Sequence, residues 1–123
     1  MSVIVRDDGF HPDDWHGAVE EVAADAPEAR LTSLAASDAL LRVHFAAFSD
    51  GRGFTLARRL RALGFGGRLR AAGPLLPDHY AMARRSGFDE VEIPPEIAAR
   101  LPVQHWLARA NWRENDYQRR LRG

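Results

Sequence analysis

Residues 40–60, LLRVHFAAFSDGRGFTLARRL, decide the fold because a strand pattern turns into a helix pattern within them. Apolar residues alternate over 41–45, which places them on one face of a strand. A polar break follows, after which apolar residues recur at offsets of +1, +4 and +7 from Leu56, as on one side of a helix. The sequence therefore predicts a strand over 40–48 and a helix over 53–63.

The same strand–turn–helix unit recurs further along the chain. RLRAAG (68–73) predicts a strand closed by Gly73-Pro74, residues 75–88 predict a helix, and DEVEIP (89–94) predicts another strand. Such alternation is typical of an α/β domain with a parallel sheet. We therefore expect one small α/β domain over 1–123, with a mostly parallel sheet of about three to five strands and flanking helices. An open three-layer sheet is favoured, and a half-barrel-like sheet is the alternative.

The flanking segments show weaker patterns. SVIV (2–5) predicts a short strand before a turn, 18–26 has a composition compatible with a helix, and 30–34 allows a second short strand. We expect residues 40–94 to form the core of the domain and 96–118 to form a helical segment after it.

Length and composition describe one ordinary globular domain. The 123 residues suit a single core, and apolar residues make up 46% against 28% charged. There is no cysteine, which excludes disulfides and thiol chemistry. No run approaches the roughly 20 apolar residues that cross a bilayer, and the N-terminal stretch lacks the basic start and apolar block of a signal peptide. We therefore expect a cytoplasmic protein.

All 17 basic residues are arginine, and they are unevenly distributed. Residues 1–50 contain ten acids and three arginines, a net charge of −7, whereas residues 51–88 contain eight arginines and one aspartate, a net charge of +7. A basic block of this kind attracts anions or an acidic partner. The alternative is that it pairs with the acidic first half of its own chain.

Two segments carry a resemblance to a known family. Residues 45–61 match a pattern F-x-x-F-x-D-G-R-G-[FY] followed by A-R-x-L-R. Residues 69–93 match a second block, with L-R-A-x-G before a helix and G-F-D after it, although Pro74 stands where the pattern has aspartate. The chain therefore resembles the DUF934 family, bacterial proteins of unknown function of which some are labelled oxidoreductases. Genes of this family often lie beside those for sulfite reductase, so the resemblance implies a role near sulfite or sulfate assimilation, with sulfite reductase or a related enzyme as partner.

The most specific part of that pattern, DGRG at 50–53, follows a predicted strand and opens a predicted helix. Ligands of parallel α/β sheets favour this edge, glycines let a ligand approach the backbone, and arginine offers a fork of donors to an oxyanion. The turn after the next strand would lie at the same edge. The candidate anion pocket comprises Asp50, Gly51, Arg52, Gly53, Arg70 and Gly73. The alternative is a purely structural junction, in which Asp50 caps the helix and the glycines serve the turn.

Further arginines form a second candidate site. On the predicted helices they lie mostly off the apolar stripe and so toward solvent. They are candidates for docking an acidic partner, or else a solvated face, and they are Arg58, Arg59, Arg61, Arg84 and Arg85.

No catalytic constellation accompanies these sites. A dinucleotide fingerprint fits poorly, a phosphate loop needs a lysine that the chain lacks, and the five histidines do not form a recognisable metal-binding motif, so we expect neither cofactor nor metal. A net charge of zero disfavours nucleic-acid binding. The sequence favours a binding module for a partner protein; the alternative is an enzyme or sensor that binds a small oxyanion or a phosphorylated cofactor at 50–53.

Overall fold

The structure is a computed structural model, and it describes residues 2–47 and 51–112. Across these residues, no helix has the length and apolar character that crossing a membrane requires. In chain order the elements are β1 (Val3–Arg6), β2 (Gly9–His11), β3 (Val19–Ala23), α1 (Glu28–Ala35), β4 (Leu40–His44), α2 (Arg52–Ala62), β5 (Leu69–Ala72), α3 (Pro77–Ser86), β6 (Glu90–Ile93), α4 (Pro95–Arg100) and α5 (Val103–Leu107). The strands form one six-stranded sheet in the order β2-β1-β6-β5-β4-β3.

Four consecutive strands, β3 to β6, lie side by side and parallel. Each is joined to the next through a helix, and the usual right-handed crossover places such helices on the same face of the sheet. Leu31 of α1, Leu56 of α2 and Tyr80 of α3 belong to one buried core with Val43 and Ala71 of the sheet. These helices therefore form a single layer on one face of the sheet, which corrects the expectation of a three-layer arrangement.

The sheet is mixed, which corrects the prediction of a mostly parallel sheet with fewer strands. β1 runs antiparallel to both β2 and β6. The pairing of β1 with β2 follows from the turn at 7–9, where Gly9 adopts a φ of 128° that other residues avoid. The turn folds β1 and β2 into a hairpin, whose strands are necessarily antiparallel, and this hairpin extends the parallel strands at the β6 edge.

Two predictions for the first half of the chain are wrong. Strand β3 occupies a segment whose composition predicts a helix, and α1 occupies the segment where a strand is predicted. In β3 only Val22 is buried, because the strand lies at the edge of the sheet, and a single buried residue gives no visible alternation. In α1 only Leu31 and Leu34 are buried, which is too few to mark a helical stripe.

The segment after β6 is helical as far as the structure describes it. Helices α4 and α5 are short, and the prediction for 96–118 lies outside the described residues from 113 onward. Trp106 of α5 is 1% exposed and packs edge-on against Tyr80, with ring centroids 6.4 Å apart. This contact attaches α5 to α3 and so to the core.

One carboxylate, that of Asp7, ties the first hairpin to the end of the described chain. It accepts hydrogen bonds from the hydroxyl of Tyr80, from the guanidinium of Arg84 and from the indole of Trp112. Burial alone raises the pKa of Asp7, but these donors outweigh burial and hold the pKa below its usual value. The hairpin is therefore fixed by contacts that are distant in sequence.

Candidate functional site

The sheet face opposite the core is polar, and its centre is a buried ion-pair cluster. Arg70 on β5 is 2% exposed; its Nε donates to Oε2 of Glu90 at 2.6 Å, and its Nη1 donates to Oε1 of Glu92 at 3.1 Å. Arg42 on β4 donates to both carboxylate oxygens of Glu92, at 2.9 and 2.6 Å. We call these four residues the polar-face cluster. They pair charges across β4, β5 and β6, where the opposite face of the same strands packs apolar side chains.

The ion pairs of the polar-face cluster shift the titration of their members. Burial by itself raises the pKa of Glu92, but Arg42 and Arg70 outweigh burial and hold that pKa below the usual value. Burial likewise opposes the charge of Arg70, and the carboxylates of Asp13 and Glu90 raise its pKa all the same. A buried charge that loses its partner is costly, so these contacts have a structural role.

The loop at 12–18 covers this face with two more carboxylates. Asp13 accepts from both terminal nitrogens of Arg70, at 3.0 Å each. Asp14 accepts from Nη2 of Arg6 at 2.7 Å and from Nη2 of Arg68 at 2.8 Å. The loop therefore provides further carboxylate partners for three arginines of the polar face, Arg6, Arg68 and Arg70.

The basic block of 51–88 is partly neutralised by the acidic first half of the chain. Besides the contacts of the 12–18 loop, Arg59 pairs with Glu28 and Arg84 pairs with Asp7. Pairing of the basic block with the acidic first half of the same chain is one of the two interpretations of the charge distribution. Within the residues that the structure describes, it holds for Arg59, Arg68, Arg70 and Arg84.

The DGRG junction lies after β4 and at the start of α2, as predicted. Asp50 lies outside the described residues, so its capping role stays a prediction. Helix α2 begins at Arg52, with Gly51 as its N-cap. Gly51 faces open space, whereas a Cβ on Gly53 would lie 2.3 Å from the ring of Phe45. Gly53 is therefore required for packing.

Gly73 also has no room for a side chain, because the backbone of Phe45 lies against it. A Cβ on Gly73 would lie 2.3 Å from the carbonyl oxygen of Phe45, and its φ is 150°. The close approach joins the ends of β4 and β5, where the amide of Phe45 donates to the carbonyl of Ala72 at 2.8 Å. The ring of Phe45 in turn packs against Phe54 and Phe88, at centroid distances of 5.0 and 5.9 Å. Both glycines thus serve this aromatic cluster.

The structure divides the predicted anion pocket among three places. Gly51 and Arg52 lie at an exposed edge, and Gly53 and Gly73 pack against Phe45. Arg70 belongs to the polar-face cluster, on the side of the sheet away from α2. Of the pocket residues that the structure describes, only Gly51 and Arg52 remain accessible to a ligand at the junction.

A cavity of about 430 Å³ opens between α1 and α2, beyond the carboxyl end of β3. Its floor is apolar, because Leu31 and Leu56 are each only 5% exposed. Its rim carries Arg52 and, two turns further along α2, Arg59. Glu28 in the first turn of α1 accepts from Arg59 Nε at 2.8 Å and pairs with Nη2 at 2.5 Å. The α1–α2 cavity, as we call it, combines an apolar floor with a charged rim.

The rim of the cavity carries side chains of both charges. Arg52, Arg59 and Glu28 together give the described lining a net charge of +1. Hydrogen bonding to Arg59 holds the pKa of Glu28 below its usual value, so this glutamate is ionised at neutral pH. Within residues 2–47 and 51–112, no group of three or more histidine, aspartate or glutamate side chains is placed to hold a metal ion.

The candidate docking arginines differ in what they contact. Arg61 donates to three backbone carbonyls, at 2.7 to 3.0 Å, and Arg84 is held by a carboxylate and a backbone carbonyl. Arg59 pairs with a glutamate of α1, and Arg85 keeps a buried Nε that has no hydrogen-bond partner in the described part of the chain. Arg58 is exposed on α2. These five arginines therefore differ in how far their charge is already engaged within the described chain, and their role in docking stays a prediction.

Sequence reasoning missed Glu28 and Leu31 as members of a site. Both lie on α1, and the sequence predicts a strand over 30–34. The available signal was the proline at 27 followed directly by a glutamate and an alanine, a sequence typical of a first helical turn.

A comparison with protein-family models identifies the family of nearly the whole chain. A family model described as "Bacterial protein of unknown function (DUF934)" matches residues 19–123, all but the first 18 residues. This match confirms the resemblance carried by the two sequence blocks. Comparison with curated proteins and with solved structures finds no match. The function must therefore be argued from the site.

Proposed function

Because the chain belongs to the DUF934 family of bacterial proteins of unknown function, we propose that it is a small binding module, and that it holds a small anion in the α1–α2 cavity. The observation that supports this is the position of Arg52, the arginine of the DGRG pattern, at the rim of that cavity. A guanidinium offers two parallel donors to an oxyanion. Binding of this kind requires no catalytic group.

The location of the cavity supports the same proposal. It lies beyond the carboxyl end of β3 and beside the start of α2, and ligands of parallel α/β sheets favour this edge. The apolar floor excludes water from one side of the ligand, which strengthens its electrostatic attraction to the rim. A volume of about 430 Å³ is within the usual range of small-molecule sites.

Thermal unfolding in the presence of sulfate, sulfite, phosphate and nucleoside monophosphates tests the proposal. An anion at about tenfold its Kd is expected to raise the Tm by roughly 4 °C or more. Arg52→Ala is expected to abolish the shift, whereas Arg58→Ala, a change to an exposed arginine on the same helix that does not line the cavity, retains it. Equal shifts in the wild type and in Arg52→Ala would contradict the assignment of the site.

A second role, docking onto sulfite reductase or a related enzyme of sulfite or sulfate assimilation in the cytoplasm, is our proposal from the family's gene context. The exposure of Arg58 on α2, next to the rim of the cavity, supports it. A pull-down with the reductase at low ionic strength tests this role. Arg58→Glu is expected to weaken capture, and Arg100→Glu, an exposed arginine outside the basic block, is expected to leave it unchanged. Absence of capture at every ionic strength would refute it.

A further inference from the structure

We infer that the 12–18 loop occupies a docking site on the polar face, and that the partner which replaces it is a protein segment with two adjacent carboxylates followed by an aromatic side chain. The site comprises the three loop-contacting arginines, Arg6, Arg68 and Arg70. It lies on the face of the sheet away from the helices, so the inference is independent of the function proposed for the α1–α2 cavity.

Two adjacent carboxylates of the loop are bound by the three arginines in different ways. Asp13 accepts from both terminal nitrogens of Arg70, whose planar fork suits a carboxylate. A single oxygen of Asp14 accepts from Arg6 at 2.7 Å and from Arg68 at 2.8 Å. The loop-contacting arginines therefore form two neighbouring carboxylate sites.

The aromatic residue that follows adds a contact of another kind. The guanidinium carbon of Arg68 lies 5.7 Å from the centroid of the Trp15 ring, within the range of a cation–π interaction. Trp15 also holds the turn of the loop, since its amide donates to Asp13 at 3.1 Å and its indole donates to the carbonyl of Ala18 at 2.9 Å. The order acid, acid, aromatic is therefore what the arginines recognise.

The loop lies on the sheet without entering the core. Of residues 12–18 none is buried, and Asp13 and Asp14 are each about half exposed. Ion pairs at the surface are screened by water and salt and contribute little to stability. Arg70 keeps two carboxylate partners when the loop leaves, because Glu90 and Glu92 bind it from β6. The loop can therefore be exchanged for another acidic segment with little loss of stability.

The sheet beneath the loop has an excess of positive charge. Glu90 accepts hydrogen bonds from all three loop-contacting arginines, and one carboxylate cannot neutralise three guanidinium groups. With the neighbouring pairs of Arg42 included, the described strands place four arginines and three glutamates in this network, a net charge of +1, and these are Arg6, Arg42, Arg68, Arg70, Glu21, Glu90 and Glu92. A segment with two carboxylates is attracted to such a face, and clusters of arginine commonly bind acidic motifs.

A cavity of about 580 Å³ opens beside Asp14 and provides space for residues that flank a docked segment. Its two other carboxylates, Asp89 and Glu90, are already paired with arginines. The remainder of its lining comprises Arg6, Gly66, Gly67 and Arg68. The site can therefore hold a segment that is longer than the loop.

Titration of the ¹⁵N-labelled full chain with a synthetic peptide of the loop sequence, HPDDWHGA (11–18), tests the inference. Binding is followed by the side-chain Nε–H signals of Arg68 and Arg70 and by the indole signal of Trp15. We expect the peptide to shift these signals, and a control peptide with both aspartates changed to asparagine to leave them unchanged. A peptide with alanine in place of the tryptophan is expected to bind severalfold more weakly.

Removal of the loop carboxylates from the chain is expected to strengthen binding of the peptide. Because the loop is tethered beside the site, its high local concentration lowers the apparent affinity of a competing segment. The double variant Asp13→Asn, Asp14→Asn is expected to bind the peptide at least about tenfold more tightly than the wild type. Asp14→Asn alone keeps the other carboxylate in place and is expected to give a smaller gain in the same direction.

Two further variants serve as controls for the site. Asp78→Asn changes an exposed aspartate of α3, on the helix side of the sheet, and is expected to leave the affinity for the peptide unchanged. Arg68→Gln, added to the double variant, removes the contact that Asp14 and Trp15 share and is expected to abolish binding.

Failure of the loop peptide to bind the wild type and the variants would refute the site. Equal affinities in the wild type, the aspartate variants of the loop and Asp78→Asn would show that the loop does not occupy it. If the asparagine peptide or inorganic pyrophosphate binds as tightly as the loop peptide, recognition of a peptide motif is refuted. If the Trp15 signal of the wild type alone depends on protein concentration, the occupant is the loop of a second copy and not a partner protein. None of these results bears on the α1–α2 cavity, which Arg52→Ala tests.

Discussion

Arginine serves opposite purposes in two regions of this molecule. On the polar face Arg70 is 2% exposed and contacts three carboxylates, those of Asp13, Glu90 and Glu92. At the rim of the α1–α2 cavity, Arg59 is half exposed and pairs with one carboxylate. Strand β6 and the 12–18 loop supply the carboxylates around Arg70, whereas Arg59 lies on a solvent-exposed side of α2. The first arrangement is buried and structural, and the second is the one where we propose that a ligand binds.

Removal of Arg70 is expected to have the largest effect on stability. Arg70→Met leaves Glu90 buried with fewer partners, and breaking a buried ion pair costs about 3–5 kcal/mol. Urea unfolding measures the loss. Arg58→Met, which removes an exposed arginine, is the control and is expected to change the free energy of unfolding by less than about 0.5 kcal/mol. If both variants lost a similar amount of unfolding free energy, the distinction between buried structural arginines and exposed arginines would be contradicted.

The glycines that follow β4 and β5 are expected to differ in their effect on stability according to whether they are packed or exposed. Gly53→Ala and Gly73→Ala each introduce a Cβ 2.3 Å from Phe45, and overpacking of this kind costs about 1–3 kcal/mol. Gly51→Ala meets open space and has a φ of −76°, so we expect little change. Thermal unfolding of the three variants measures the difference. A loss in Gly51→Ala equal to the others would show that the exposed edge is also structural.

Acid is expected to weaken the polar face. Arg70 lowers the pKa of Asp13, and Arg42 with Arg70 lowers that of Glu92 despite burial. Their contribution to stability is full above the unfolded-state pKa values, 3.8 for aspartate and 4.5 for glutamate, and it is lost as the pH falls through the lower folded-state values. Urea midpoints measured from about pH 7 to about pH 3 test this, and Glu92→Gln should show a flatter pH dependence than wild type. An unchanged slope in Glu92→Gln would assign the acid sensitivity to other groups.

The smallest effect on stability is expected where the exposed pair of the cavity rim is broken. Arg59→Gln removes the partner of Glu28, and exposed ion pairs are screened by water and salt. We expect the urea midpoint to stay at the wild-type value while amides lining the cavity shift in the NMR spectrum. A loss of stability comparable to that of Arg70→Met would show that the ion pair at the rim is also required for the fold.

The central part of the fold could be predicted from the sequence because its patterns are local. The alternating apolar residues of β4 and the apolar stripe of α2 both appear within residues 40–62. Strand β5, helix α3 and strand β6 repeat this strand–helix pattern, and glycines and prolines mark the turns between them. The order of the sheet could not be predicted, because the pairing of β1 with β6 joins residues about 90 positions apart. Nothing local specifies that contact.

The polar face left a signal that the sequence reasoning did not use. Arg68, just before β5, and Arg70 within it alternate with apolar residues, and Glu90 and Glu92 alternate with apolar residues in β6. Opposite charges at alternate positions of consecutive parallel strands predict ion pairs on one face. The α1–α2 cavity could not be predicted, since one of its walls belongs to a helix whose two buried leucines form no visible period.

The position of β1 determines the order in which the chain can finish folding as it is synthesised. Val3 pairs with Ile93, so the hairpin at the start of the chain has no place in the sheet until β6 has left the ribosome. Strands β3 to β5 can assemble earlier, because each needs only its neighbour. The indole of Trp112 reaches Asp7 later still. Strand β1, although made before β3 to β6, is thus among the last strands to be placed, and a nascent chain that stops short of β6 carries a hairpin without its sheet partner.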